Sequence, residues 1–348
     1  MKSQTLTIQF NTPAFLGDAN KSGRWRTPPF KAQLRQWWRV AYAMQKNYAV
    51  RVDEMREAEG LLFGHAWLEN DKEGQDKIAA RKSKVLIRLS SWSAGSMKDW
   101  PKNDGSIKHP NVSKQVGAQL YMGYGPLTYA QGTSLKANAA IQAKEYAELS
   151  IAYPEEESDL IETALHLMHL YGTVGGRSRN AWGSYSLNGL VGDFNSAWKR
   201  SLNECLKLGW PHAVAADNNK DALVWQTKPH KDWASLMKTL AEIKIALRTQ
   251  FVMRQGATAT PEDRHWLSYP MTNHDVHEWK RGNLRLPNQL RFKVRAETDG
   301  QLVGVIFHMP HLPPTDFNPR SANLLQIWQK VYTHLDTTPA CPLTRIKV

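Results

Sequence analysis

Alternating and helical spacings of apolar residues divide the chain into short strands and longer helices. Residues 5–10 alternate between apolar and polar side chains, which predicts a half-buried strand. An amphipathic helix follows over residues 28–46. The same patterns predict a shorter helix over 54–68, broken at Gly60, strands at 85–89 and 146–153, a helix over 160–171 and a strand at 184–190. Apart from the shorter helix, the order is βαββαβ.

The second half of the chain repeats this order. The pattern predicts strands at 222–227, 290–295, 301–308 and 343–348, and helices over 233–250 and 323–335. The βαββαβ order is that of a ferredoxin-like domain. We therefore predict an α+β fold of two tandem ferredoxin-like (RRM-like) domains with insertions, covering residues 1–192 and 193–348. Residues 91–140, rich in Gly, Ser, Lys and Asn, are expected to form a surface insertion in the first domain.

Two stretches of the second half are both basic and patterned. In LRFKVR, residues 290–295, the apolar residues are expected to point inward and Arg291, Lys293 and Arg295 outward. That cationic face could follow RNA, meet an acidic neighbour or only be solvated. The aromatic and basic stretch RHWLSYP, residues 264–270, is expected at a domain or subunit contact.

The strongest charge pattern lies near the N-terminus. Residues 21–52 hold eight Lys or Arg and no Asp or Glu. Lys31, Arg35 and Arg39 recur every four residues, so a helix places them on one face, where like charges repel one another. Pro28 and Pro29 stand where a first helical turn tolerates proline. Such a face indicates an anionic partner, and its alternative is a solvated basic surface.

Composition agrees with an anionic partner. The chain has 45 Lys and Arg against 32 Asp and Glu, a net charge of +13, and 41% hydrophobic residues, as in a globular protein. Two cysteines without paired spacing indicate neither disulfides nor a zinc cluster. No signal peptide or membrane span is recognisable, so we expect a cytoplasmic protein with no membrane contact.

A second candidate site is the segment GTVGGRSRNAWGS, residues 172–184. Gly175 and Gly176 allow unusual backbone angles, and Arg177 and Arg179 carry forked donors suited to phosphate. Trp182 offers an aromatic face on which a base could stack. The segment lacks GK[ST] and leads from a helix to a strand, which excludes the usual nucleotide-binding loops. The alternative is an ordinary flexible connection.

Signals for chemistry are weak. There is no GxSxG elbow, and His274 and His277 lack further ligands that would make a metal site. Asp18, among cations in the first loop, could assist RNA cleavage. It could equally cap a turn or pair with Arg24. We predict no catalytic residue, no metal and no cofactor.

Three motifs together resemble the RAMP superfamily: TPAFLGDANKSGRWRTPPFKAQLRQWWR, AEGLLFG and GGRSRNAWGS. The similarity is greatest to the large two-domain RAMP subunit of type III-B (Cmr) CRISPR effector complexes. It covers residues 12–184, about half of the chain. Two residues depart from the family pattern: Asp18 stands where a second glycine is common, and Ala32 where glycine is usual.

The resemblance implies a non-catalytic RNA-binding subunit of a ribonucleoprotein that acts in antiviral defence. Its partners would be the 3′ part of the guide RNA, the 5′ part of the target RNA and other RAMP subunits. The implied RNA contacts are Lys21, Arg24, Arg26, Lys31, Arg35, Trp38, Arg39, Gly175, Gly176, Arg177, Arg179 and Trp182.

Two other functions stay open. One is a RAMP endoribonuclease that processes CRISPR precursor RNA through Asp18 or a histidine such as His65. The other is an RNA-binding module that works alone.

Overall fold

The structure is a computed structural model that describes residues 1–66, 68, 71–101, 104–110, 112–191, 198–338 and 342–346. The predicted domain boundary at 192/193 lies outside these residues. Within the described part, no helix is both long and apolar enough to cross a membrane.

The predicted helices and strands are all present, and additional short elements lie between them. In the first half they are β1 (Lys2–Phe10), α1 (Thr27–Gln45), α2 (Val52–Phe63), β2 (Lys72–Glu73), β3 (Asp76–Lys77), β4 (Leu86–Leu89), β5 (Ser106–Ile107), β6 (Val116–Gly117), α3 (Ala118–Gly123), β7 (Leu127–Tyr129), β8 (Thr133–Leu135), β9 (Tyr146–Tyr153), α4 (Ser158–Tyr171) and β10 (Tyr185–Asn188).

In the second half they are β11 (Lys199–Ser201), α5 (Leu202–Cys205), β12 (Val214–Ala216), β13 (Val224–Gln226), α6 (Trp233–Thr249), β14 (Gly256–Thr258), β15 (His274–Val276), α7 (His277–Arg281), β16 (Leu290–Ala296), β17 (Leu302–His308), α8 (Ser321–Thr337) and β18 (Thr344–Arg345). Short 3₁₀ helices cover Glu155–Glu157, Asp263–Trp266 and Thr315–Phe317.

Internal contacts group the chain into two compact units. The first unit holds residues 1–98, 137–175 and 183–198, and the second holds 99–136, 176–182 and 199–348. Most of the predicted insertion and the centre of the glycine-rich segment therefore pack within the second unit.

The first unit is a ferredoxin-like domain. Its sheet has the order β10-β1-β9-β4, and every neighbouring pair is antiparallel. In terms of the βαββαβ units, this is the order 4-1-3-2. Leu6, Ile8 and Phe10 alternate on the buried face of β1. An aromatic cluster of Phe10, Trp25, Phe30 and Tyr185 forms part of this core.

The second unit contains a sheet of the same topology. Its order is β16-β17-β13-β18, again antiparallel throughout. Read from β18, this is again the order 4-1-3-2 of the βαββαβ unit. Gly304 on β17 lies under α6, where an added Cβ would come within 2.7 Å of Leu240. On β13, Trp225 packs beside Tyr332 of α8, with ring centroids 5.8 Å apart. The prediction of two ferredoxin-like domains is confirmed.

The expectation of an exposed cationic face on β16 is wrong for Lys293. This side chain is completely buried, and Nε of Arg291 is buried as well. The reason is that the sheet is covered on both faces. Val305 and Phe307 lie opposite Lys293 and Arg291 on β17, and both are also buried. A strand covered on both faces loses the alternation from which exposure is predicted.

Three further expectations need correction. The helix α2 runs through Gly60 without a break and ends at Phe63. The segment 91–140 is not only a surface insertion, since Trp100, Ile107 and Met122 are buried. The stretch 264–270 packs inside the second unit, where Trp266 and Tyr269 contact Trp279.

Candidate nucleic-acid interface

The cationic face of α1 forms as predicted. Pro28 and Pro29 lie in the first turn of the helix, and Lys31, Arg35 and Arg39 follow at one-turn intervals. The opposite side of the helix is apolar and buried in the core of the first unit. This division orients the three cations together, away from the sheet.

A buried carboxylate organises these cations. Nε of Arg35 donates to Glu59 of α2 at 2.7 Å, and Arg39 donates to the same carboxylate through Nε at 2.7 Å and Nη2 at 2.8 Å. Glu59 itself is buried. Lys31 donates through Nζ to the carbonyl of Phe63 at 2.9 Å. The cationic face of α1 is thereby joined to α2 along its whole length.

This arrangement leaves a surplus of positive charge. One carboxylate faces two guanidinium groups and one ammonium group, so the local sum is +2. The side chain of Arg35 is 32% exposed and that of Arg39 is 41% exposed. Neither Nη atom of Arg35, nor Nη1 of Arg39, has a hydrogen-bond partner among the described residues. Burial, and then the charge of Arg35, lowers the pKa of Lys31.

The first loop is held by Asp18. Gly17 pairs with Gly23 across a narrow turn, in which the Asp18 carboxylate accepts from the backbone N–H groups of Asn20 and Ser22, both at 2.9 Å. Nε of Arg24 donates to it at 3.2 Å. These contacts, that of the Ser22 N–H foremost, lower the pKa of Asp18. Asp18 thus both caps a turn and pairs with Arg24.

The other cations of this loop differ in exposure. Lys21 is exposed, and its backbone adopts a left-handed conformation with φ of 57°. Arg24 also donates to the carbonyl of Trp92 at 3.2 Å, which directs it along the surface. Arg26 lies at the start of α1, and its buried Nε has no hydrogen-bond partner in the described part of the chain.

Two glycines of the glycine-rich segment allow close packing of the protein on itself. Gly183 has φ of 63°, and a Cβ there would overlap the carbonyl oxygen of Val174. Gly175 has φ of 89°, and a Cβ would lie 2.7 Å from the carbonyl oxygen of Phe15. Both contacts are internal to the first unit. Only glycine fits such positions without moving backbone.

The arginines of the segment lie in the second unit. Arg177 is exposed and donates through Nε to the carbonyl of Tyr124 at 2.5 Å. Arg179 is also exposed, and its carbonyl accepts from the N–H of Phe292 at 3.1 Å. Gly176 beside them is half-buried. The exposed Arg177 can therefore meet an anion, whereas burial lowers the pKa of the Arg179 guanidinium group.

The structure contradicts the prediction that two tryptophans, Trp38 and Trp182, contact RNA. Trp182 is fully buried between Trp100 and Trp233, with ring centroids 5.5 and 5.8 Å away. Trp38 is buried against Tyr42 and Phe63. Neither ring offers a face to a nucleic-acid base, because both are part of a hydrophobic core.

His65 belongs to a buried polar cluster. Its Nε2 lies 2.6 Å from Oδ2 of Asp71, and Arg81 contacts the same carboxylate through Nε at 2.5 Å and Nη2 at 2.8 Å. The ring of His65 is completely enclosed. Hydrogen bonds from Arg81 and then from His65 help to lower the pKa of Asp71.

The predicted contacts thus form two groups, one in each unit. The first unit holds Lys21, Arg24, Arg26, Lys31, Arg35, Arg39 and Gly175, and the second holds Gly176, Arg177 and Arg179. The residue that sequence reasoning missed is Glu59, although it lies in the motif AEGLLFG. No group of three or more His, Cys, Asp or Glu residues suited to a metal is found among the described residues.

Comparison with known proteins gives structural neighbours only. No protein-family model and no curated protein matches the chain. The crystal structure of Cmr1 from Pyrococcus furiosus is similar over 99% of this chain and 98% of that chain, with 15% identity and a TM-score of 0.46. Chains of two cryo-EM structures of type III-B Cmr-beta are also similar.

Both of those Cmr-beta structures are bound to cognate target RNA, one of them also with AMPPnP and in the presence of ssDNA. Each match has 11% identity and covers 94% of this chain and 99% of the other, with TM-scores of 0.44 and 0.46. Each of the three structures is described as one of Cmr1 or of Cmr-beta.

Glu59→Ala should lower the free energy of unfolding by about 1.5–3 kcal/mol, because it removes charge-assisted hydrogen bonds that join α1 to α2. Glu57→Ala, an exposed change on the same helix, should stay within about 0.5 kcal/mol of the unmodified protein. Urea unfolding followed by tryptophan fluorescence measures both. Equal midpoints for the two variants would contradict the structural role of Glu59.

Proposed function

We propose that this chain is an RNA-binding subunit of a type III-B CRISPR (Cmr) ribonucleoprotein and performs no chemistry itself. Its RNA ligand would be the 3′ part of a guide RNA, the 5′ part of a target RNA, or both. The RAMP-like motifs of residues 12–184 support the assembly, and the charge of the chain supports the ligand.

The single observation that carries the RNA assignment is that Arg35 and Arg39 are both hydrogen-bonded to Glu59 and both partly exposed. Each guanidinium group is fixed on one side by Glu59 and is open on the other. An arginine fixed in this way loses little further freedom when it binds, and its planar fork matches a phosphate group. Residual positive charge beside it favours a polyanion over a neutral ligand.

The environments of Asp18 and His65 support the non-catalytic part of the proposal. The Asp18 carboxylate is engaged by two backbone N–H groups and by Arg24. A general base needs a raised pKa near the working pH, and these contacts lower the pKa of Asp18. His65 is enclosed beside Asp71 and has no open path to a substrate within the first unit.

Replacing the charges of the α1 face should weaken RNA binding. The variant Arg35→Gln/Arg39→Gln/Glu59→Gln keeps polar side chains together but removes both guanidinium groups. We expect affinity for single-stranded RNA to fall at least about tenfold, since hydrogen bonds to charged groups contribute about 1.5–3 kcal/mol each. The slope of log affinity against log salt should become shallower by up to about 1.4, or about 0.7 per phosphate.

Arg51→Gln is the matched control, since it also removes one net positive charge and lies on an exposed part of the first unit. It should change the affinity less than about twofold, as expected for a weakly coupled surface charge. Fluorescence anisotropy over a salt series measures both variants. A folded triple variant that binds like the control would refute the placement of the site on α1.

Purification of the native assembly tests membership in a Cmr complex. A tagged chain expressed in its own host should copurify with other RAMP subunits and with RNA that contains CRISPR repeat sequence. Mass spectrometry identifies the proteins and sequencing identifies the RNA. Recovery of the chain alone, or with RNA unrelated to CRISPR loci, would refute this assignment.

A cleavage assay tests the absence of chemistry. The purified chain, incubated with repeat RNA and with target RNA, should yield no discrete product, and Asp18→Asn should behave identically. Asparagine keeps the size of the side chain and can still accept the hydrogen bonds of the turn. A product that appears with the unmodified chain and disappears with Asp18→Asn would identify a nuclease instead.

A further inference from the structure

A second cluster of cations lies in the second unit, and only one of its members, Arg177, belongs to the motifs and the predicted contacts. We call it the α6 cluster. It comprises Lys244 and Arg248 of α6, Arg264 of the 3₁₀ helix Asp263–Trp266, and Arg177 of the glycine-rich segment. Lys244 and Arg248 are one turn apart, so they point to the same side of α6.

Hydrogen bonds and ring contacts bring α6 and the glycine-rich segment together around α3. Nζ of Lys244 donates to Oδ1 of Asn180 at 2.7 Å and lies 5.7 Å from the ring centroid of Tyr121. Asn180 in turn donates to the carbonyl of Met122 at 2.8 Å. Arg177 donates to the carbonyl of Tyr124, the residue that follows α3. Helix α3 and the residue that follows it thus line one side of the cluster.

Two members of the cluster are buried, whereas Arg248 is half-buried and Arg177 is exposed. Lys244 is 8% exposed and Arg264 is 9% exposed. Nε of Arg264 is buried and has no hydrogen-bond partner in the described residues. A buried cation is costly unless an opposite charge or a full set of acceptors compensates it. The groups that contact Lys244 are an amide oxygen and an aromatic ring, both of them neutral.

The two carboxylates beside Arg264 in sequence are engaged elsewhere, and Glu242, two residues before Lys244, is exposed. Asp263 accepts from Lys330 at 2.7 Å, and Glu262 accepts from Arg254 at 3.1 Å. The charged groups that act on Lys244 are Arg248 from its own helix and Arg177 from the facing segment, and Tyr121 of α3 lies against it. No carboxylate among the described residues acts on it.

The electrostatics agree with uncompensated positive charge. Burial, and then the charges of Arg248 and Arg177, lowers the pKa of Lys244 to about 7. Burial and then Arg248 lower the pKa of Arg264. The pKa of His109, whose ring lies 6.0 Å from that of Tyr121, is lowered by burial and then by Arg264 and Arg248. An anion among these groups would reverse each of the charge effects.

We propose that Lys244, Arg248, Arg264 and Arg177 form a phosphate-binding site in the second unit. The ligand is a phosphate group held by an ammonium and guanidinium donors, which are the usual partners of such oxyanions. The group belongs either to an RNA backbone or to free phosphate. The RNA source rests on the proposed function, whereas the oxyanion site itself does not.

Lys244→Met/Arg248→Gln tests the site, since it removes two of the four cations and methionine fills the space of the buried lysine stem. The variant should be at least as stable as the unmodified protein in the absence of ligand, because it removes repulsion between neighbouring cations. Lys231→Met/Arg285→Gln, an exposed pair in the same unit, is the charge-matched control. Thermal unfolding shows that each protein is folded.

The first arm of the test measures affinity for a labelled single-stranded oligoribonucleotide, and the second measures stabilisation by inorganic phosphate. A loss of about tenfold or more in RNA affinity, confined to the cluster variant, supports a backbone phosphate as the ligand. Stabilisation by inorganic phosphate that is present in the control and absent in the cluster variant supports free phosphate. If the cluster variant and the control respond alike in both arms, the site is refuted.

The pH dependence adds a readout that a purely structural role would not give. A bound anion raises the pKa of Lys244 from about 7, so a proton is taken up on binding above that pH. Affinity in the responding arm should therefore fall between pH 7 and 9, by up to about tenfold per unit. Calorimetry in two buffers should show proton uptake that Lys244→Met abolishes; unchanged uptake would refute the assignment.

The two proposals fail separately. If no RNA binds to the chain or its native assembly, the proposed function fails, while inorganic phosphate still decides the cluster. If RNA binding depends on Arg35 and Arg39 but neither arm responds to the cluster variant, the phosphate site fails and the proposed function stands.

Discussion

The carboxylate of Glu59, held between Arg35 and Arg39, is the interaction on which the basic surface of the first unit depends. Like charges repeated along one helix face repel, and such a face alone would hold its long side chains in many conformations. A buried acceptor from α2 fixes two of them with three hydrogen bonds. The structure thereby keeps a net positive surface with ordered donors, whereas full neutralisation would remove the charge and full solvation would remove the order.

The element order and both sheet topologies could be predicted from sequence, since amphipathic helices and alternating strands have periods that do not depend on the rest of the fold. The cationic face of α1 followed from spacing in the same way. Its partner did not: Glu59 lies twenty residues beyond Arg39, and nothing local says that the two helices meet there. The motif AEGLLFG marked the position without indicating its partners.

Burial was the main source of error. Trp182 and Trp38 are residues of a type that can stack on bases, and Lys293 occupies a position that the alternating pattern of its strand predicts to be exposed. All three are buried by tertiary packing, as Trp182 is between Trp100 and Trp233, and no local pattern reports that packing. The glycines were also misread in part, because Gly175 and Gly183 let one stretch of backbone approach another. Asp18, for which both a turn cap and an Arg24 contact were open, turned out to make both.

The distribution of the chain between its two units has a consequence for how the protein can be divided. The backbone passes from one unit to the other at 98/99, 136/137, 175/176, 182/183 and 198/199. A conventional pair of tandem domains can be expressed as separate halves, because one linker joins them. Here the second unit draws Trp100 and Trp182 from within the first half, so no single cut yields either core complete. The two units therefore have to be made and folded together, as one intact chain.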